Sequence, residues 1–143
     1  MPPASSFNFS GVWLFSECSR AELKAIQKSA IPVSVSAGTT IFDEGEIGQA
    51  FYFIVSGTAH VIRNGRKAAE LGPDGYFGEL ALLDKLPRSA TVKAATDMDL
   101  LEIDRRHFNR LINESPSLTK KLLIATATRL RNADARSLLR AVN

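Results

Sequence analysis

Between Pro32 and Asp104 the chain is cut at short intervals by Gly38, Gly45, Gly48, Gly57, Asn64-Gly65, Gly72 and Gly75. The pieces in between are brief, and several alternate apolar with polar residues. Val33-Ser34-Val35, Thr40-Ile41-Phe42, Ala59-His60-Val61-Ile62 and Ala68-Ala69-Glu70-Leu71 are examples, while Phe51–Val55 is a β-branched and aromatic run. Short strands separated by turn signals about every 8–12 residues point to an all-β sandwich or barrel. Asn64-Gly65 is a hairpin signal, because both residues tolerate positive φ. Ala90–Ala94 and Leu100–Ile103 supply two further strands.

The flanks read as helix. Ser19 is an N-cap and Glu22, three positions on, completes a capping box, so Arg20–Lys28 is expected to be a short helix. From Arg105 the period becomes helical, with Phe108, Leu111 and Ile112 on one face as far as Asn113. Ser115-Pro116 restarts a helix with a cap followed by proline. Leu118, Leu122, Ala125, Leu130, Ala133 and Ser137/Leu138 then recur at three- and four-residue steps, predicting a long amphipathic helix to about Ala141. Residues 1–10 read as a loose end, and Trp13 and Phe15 as anchors of the N-terminal segment. The expected fold is mainly β with flanking helices. It is a β-roll of the double-stranded β-helix or jelly-roll type, with an N-terminal helix and two C-terminal helices. It is read as one domain over 1–143, ordered from about 11 to 141.

The bulk numbers narrow the function classes. With 143 residues, 45% apolar and 23% charged, the chain fits one soluble globular domain. A net charge of +3 with no dense basic stripe does not suggest nucleic-acid binding. Cys18 is the single cysteine, so no intrachain disulfide forms. No signal peptide and no membrane-length apolar run is read, so a cytoplasmic location is expected and no membrane partner. His60 and His107 are the two histidines. They are far from any metal-ligand spacing, and no Ser-His-Asp or Cys-His set accompanies them, so neither metal nor catalysis is expected.

One stretch departs from the β texture, running from Gly75 to Val92. Glu79–Leu83 has helical propensity over little more than one turn. Gly78 stands at its start, where a missing side chain allows close approach to the backbone. The free N–H groups of a helix N-terminus favour an anion. Pro87 closes the loop and Arg88 follows at once, offering a fork that matches phosphate. A carboxylate at Glu79 is awkward beside an anion unless it accepts from a hydroxyl next to the phosphate, such as a ribose 2′-OH.

Phe77-Gly-Glu-Leu-Ala-Leu-Leu83 and Pro87-Arg-Ser-Ala-Thr-Val92 resemble the phosphate-binding cassette of the cyclic nucleotide-binding domain family. Phe42–Glu46, Phe51–Gly57 and the terminal helix pair extend the resemblance over nearly the whole chain. The resemblance implies a sensor that binds cAMP, or less often cGMP, without acting on it. Phe77 opens the cassette. It further implies that Gly78, Leu80 and Ala81 lend backbone groups to the ribose-phosphate, and that Glu79 accepts from the 2′-OH. Arg88 pairs with the phosphate, Ser89 donates to it, and Ala90 adds an N–H. Val61 and Leu71 pack the purine, Arg129 caps the base, and the terminal helix acts as a lid. A homodimer or an effector protein is the further partner implied for that helix. In relatives of the catabolite-activator kind a DNA-binding helix-turn-helix follows, and these residues stop about where it would begin. The family usually reads Gly-Asp ahead of the aromatic pair. Here the order is Asp74-Gly75, a change expected to reshape that turn.

Overall fold

The structure, a computed structural model, describes the backbone of residues 7–142 and the side chains of 7–135 apart from Ser10. The side chains of Ser137, Leu138, Arg136 and Arg140, like residues 1–6, lie outside the described residues.

The glycine-bounded pieces form strands β1 (Ile31–Val35), β2 (Thr40–Phe42), β3 (Ala50–Ser56), β4 (Ala59–Arg63), β5 (Arg66–Leu71), β6 (Tyr76–Phe77), β7 (Thr91–Ala94) and β8 (Met98–Asp104). They build two four-stranded sheets, in the orders β1-β8-β3-β6 and β2-β7-β4-β5. Every pairing is antiparallel. Asn64 and Gly65 take φ of 54° and 74°, the double positive φ that a tight β4–β5 hairpin needs. Helices α1 (Arg20–Ser29), α2 (Glu79–Leu83), α3 (Arg105–Glu114) and α4 (Pro116–Val142) complete the β-roll.

Two apolar clusters hold it together. Phe42, Ile54, Ala59, Phe77, Val92 and Leu100 fill the space between the sheets. Phe51, Phe53, Leu101 and Ile103 point the other way, onto α3, α4 and the N-terminal segment. β3 is therefore buried on both faces, which is why its sequence is continuously apolar instead of alternating.

The Ser19 capping box forms: Ser19 Oγ accepts from the Glu22 amide at 3.1 Å, and Glu22 Oε1 accepts from the Ser19 amide at 2.9 Å. The same carboxylate also accepts from Ser117 Oγ at 3.1 Å and the Ser117 amide at 3.3 Å, tying α1 to the start of α4. Donation from the Ser19 amide, opposed by burial and reinforced by Ser117, holds the Glu22 carboxyl below its ordinary range.

Three sequence expectations need correction. The described part of the N-terminal end is not loose. Phe9 is buried, and Phe7 packs edge-on against Phe9 and Phe53, at 4.9 and 5.4 Å between ring centroids. Apolar rings this close to the sheet cover a face of β3 that would otherwise meet water. Of the two expected anchors, Phe15 is buried, but Trp13 remains 49% exposed, with Lys121 Nζ 4.4 Å above its ring. Finally, the expected apolar face of α4 divides. Leu118 and Leu122 enter the core, whereas Leu130 is exposed, because the helix outruns the cluster it packs on. Among the described residues, no helix is long and apolar enough to cross a membrane.

Candidate functional site

β6 delivers the chain to Gly78, whose φ of +91° begins α2. A Cβ at Gly78 would stand 2.9 Å from Arg88 Nη1 and 3.0 Å from the Ala50 carbonyl oxygen. The missing side chain thus makes room for the protein's own arginine, where the sequence suggested room for a ligand. α2 buries Glu79, Ala81 and Leu82, leaves Leu80 exposed, and ends at Asp84. Lys85 then takes φ of 61°, a left-handed position that favours glycine. The Asp74-Gly75 order has a comparable effect: Asp74, not glycine, adopts the positive φ of 69° ahead of β6.

Arg88 is buried to 5% exposure. Its Nη1 donates to the Gly78 carbonyl and its Nη2 to the Ala50 carbonyl, both at 2.7 Å. The guanidinium lies 3.9 Å above the Phe42 ring, a cation–π arrangement. Its Nε is buried with no hydrogen-bond partner among the described residues. Burial pushes the guanidinium pKa down from its ordinary value, and the charge of Arg105 adds to this. Arg105 itself donates through Nε to the Gly48 carbonyl at 3.0 Å, so the entry to β3 is held by two arginines.

Above this floor a cavity of about 730 Å³ opens between α2, the β4–β5 hairpin and α4. Phe77, Gly78, Glu79, Leu80, Ala81, Ser89, Ala90, Val61, Leu71 and Arg129 all line it. Arg88 is the one sequence-chosen residue outside the lining, seated directly behind Gly78. The wall has an apolar side, from Val61, Ala69, Leu71 and Val92, and a polar end at α2. That suits a flat apolar body carrying an anionic group. Sequence reasoning missed Phe42, Arg63 and Asn132 in the lining. The last two were legible in principle, since Arg63 follows Val61 at strand period and Asn132 follows Arg129 at helical period. Arg63 Nε also donates to the Ser89 carbonyl at 3.2 Å, bracing the cassette from β4.

Arg129 crosses the cavity. Its Nη2 donates to Glu79 Oε1 at 2.7 Å, joining α4 to α2. The Glu79 side chain is 3% exposed and that of Arg129 53%, so a buried carboxylate meets a half-solvated cation. For Arg129, burial opposes the charged form but is outweighed by the hydrogen bond and charge of Glu79 and by Tyr76, and its pKa rises. Burial, then the Glu79 charge, raises the Tyr76 phenol. Among the described residues no group of three or more His, Cys, Asp or Glu is placed to hold a metal.

The cyclic nucleotide-binding domain family matches residues 32–115, from β1 to the end of α3. The chain belongs to that family. A cyclic AMP receptor protein of Thermus thermophilus is 39% identical over 102 residues, covering 68% of this chain and 47% of that protein. A cyclic nucleotide-gated potassium channel of Mesorhizobium japonicum is 37% identical over 122 residues, covering 85% of this chain and 34% of the channel. The chain therefore spans from a third to a half of the length of these two relatives. The crystal structure of the Thermus thermophilus catabolite activator protein superposes with a TM-score of 0.82 at 34% identity, covering 90% of this chain and 62% of that one. The family match spans the β-roll strands, α2 and α3, and α4 lies beyond it.

Proposed function

We propose that this domain is a sensor that holds a cyclic nucleotide, cAMP ahead of cGMP, in the cavity beneath α4 and performs no chemistry on it. The observation that carries the reading is the cavity itself, which gathers the cassette residues at one end and apolar strand residues at the other. The backbone groups of Gly78, Leu80, Ala81 and Ala90 and the Ser89 hydroxyl receive the ribose-phosphate. The first amides of a helix have no intrahelical partner and favour an anion. Arg88 supplies positive charge from behind Gly78, and its Nε, without a hydrogen-bond partner among the described residues, is a donor left for the phosphate. Val61 and Leu71 pack against the purine. The names of the relatives, a cyclic AMP receptor and a cyclic nucleotide-gated channel, support both the ligand class and the regulatory role.

Glu79 receives the ribose 2′-OH. Its Oε1 is bonded to Arg129, so the sugar shares a carboxylate that already fastens α4. Arg129 therefore works at the sugar end of the cavity and not as a cap over the base. Ligand and lid meet at one side chain, and α4 is the element through which an attached effector or a second copy reads occupancy.

Calorimetric titration with cAMP and 2′-deoxy-cAMP tests the reading. Saturable binding of cAMP is expected. Losing a hydrogen bond to a charged group is worth about 1.5–3 kcal/mol, so the deoxy analogue should bind roughly tenfold or more weakly. Glu79→Gln should narrow that gap. A domain that binds neither nucleotide at millimolar concentration overturns the proposal.

A further inference from the structure

Charge is unevenly divided between the roll and its helices. Residues 31–104 carry six Lys and Arg against eleven Asp and Glu, whereas the segments on either side carry twelve against four. Much of that cationic excess lies on one helical end of the molecule. In α1 the side turned to the core holds Ile26, with Leu23 and Ala25 packed against the same cluster. Arg20, Lys24 and Lys28 recur every four residues on the opposite side, and all three are exposed. α3 repeats the arrangement: Phe108 and Leu111 are buried, while Arg106 and Arg110, four residues apart, are exposed. In the first turns of α4, Leu118 and Leu122 are buried and Lys120 is exposed between them. α3 packs against both α1 and α4, and Glu22 ties α1 to Ser117 at the start of α4. The three helices thus share one core cluster and turn their cationic sides outward together.

Among the described residues none of these six cations forms an ion pair. Carboxylates of the same region are engaged elsewhere. Glu17 faces Lys121, Glu22 closes the capping box, and Asp104 caps α3. Glu114, at the end of α3, is the exception. From this array we infer that the outer face of α1, α3 and the start of α4 docks on an anionic lipid surface. Each Lys or Arg held close to such a surface strengthens the attraction about fivefold, and the surface asks for charge without a fixed pattern. A protein partner fits less well, because Lys is depleted at protein–protein contacts and their centres are apolar. Trp13, half exposed beside Lys121, is of the residue type enriched where membrane meets water. Such a contact is peripheral and needs no spanning helix. Three separate segments contribute the array, so no stretch of the sequence is densely basic and the sequence alone suggested no membrane partner.

The inference uses none of the cavity and stands apart from the sensor reading. Its test is sedimentation of the protein with vesicles of phosphatidylcholine alone and of phosphatidylcholine mixed with phosphatidylserine. Wild type should bind the mixed vesicles only, and less tightly as added salt shortens the reach of surface charge. Lys24→Gln combined with Arg110→Gln should weaken that binding about twenty-five-fold, fivefold per residue. Arg66→Gln combined with Lys93→Gln removes the same charge from exposed positions on the roll and should leave vesicle binding nearly unchanged. All four positions are exposed, so melting temperatures close to that of wild type serve as the folding control. Equal loss in the two double variants would mean that net charge, and not this face, drives the attraction, and would overturn the inference. So would failure of wild type to sediment with the mixed vesicles. Displacement from those vesicles by duplex DNA, through binding that Lys24→Gln with Arg110→Gln abolishes, would reassign the face to nucleic acid.

Discussion

Arg88 has a structural duty as well as a proposed ligand. Its two terminal nitrogens satisfy the Gly78 and Ala50 carbonyls, and stacking on Phe42 fixes the plane of the fork. Arg88→Leu would leave those acceptors buried without donors. At about 1–3 kcal/mol per unsatisfied group, chemical denaturation of that variant should show a loss of roughly 2–6 kcal/mol. An unchanged midpoint would mean that the two bonds carry no stability. Any affinity lost in Arg88→Leu must accordingly be read against its stability, whereas Glu79→Gln is a cleaner probe of the sugar contact. The identity of Arg88 as a cassette residue was legible from Pro87-Arg88-Ser89. Its partner at Ala50, in a separate strand, was not, because no local pattern encodes a bond between residues so distant in sequence. The same holds for Gly78: the need for glycine was readable, while the atom that would collide with a side chain was not.

At the scale of elements, the capping box shows how a local signal gains a tertiary role. Ser19 and Glu22 announce the start of α1 in four residues. The additional bonds from Ser117 make Glu22 a link to α4 as well. Because its folded pKa is depressed, this contribution is present above the unfolded value of about 4.3 and is lost as pH falls through the folded value. Glu22→Gln should therefore melt lower than wild type at pH 7, by about 1 kcal/mol of capping, with the difference shrinking below roughly pH 4.5. A difference that stays constant to pH 3 would argue against the carboxylate. Strand β6 escaped sequence reading because two residues carry no period. The division of α4 escaped it because periodicity reports which face is apolar, not how far the partner surface extends.

For the molecule as a whole, the glycine spacing made the β-roll legible, since turns so close together leave room only for short strands. The order of strands within each sheet was not, because β1 pairs with β8 and β2 with β7, partners far apart in sequence. The cavity was half legible. Its cassette end is one contiguous segment, whereas its far wall is assembled from a hairpin and a terminal helix that only folding brings together. The helix that roofs the cavity also rests, near its other end, on the N-terminal segment, where Lys121 stands over Trp13. Trp13 is the only tryptophan in the chain, and a nearby ammonium alters indole emission. Any shift of α4 by cAMP should therefore change the intensity or wavelength of intrinsic fluorescence, and Lys121→Met should abolish that response while leaving affinity intact. The protein carries an optical gauge of its own roof, readable without a dye or a label.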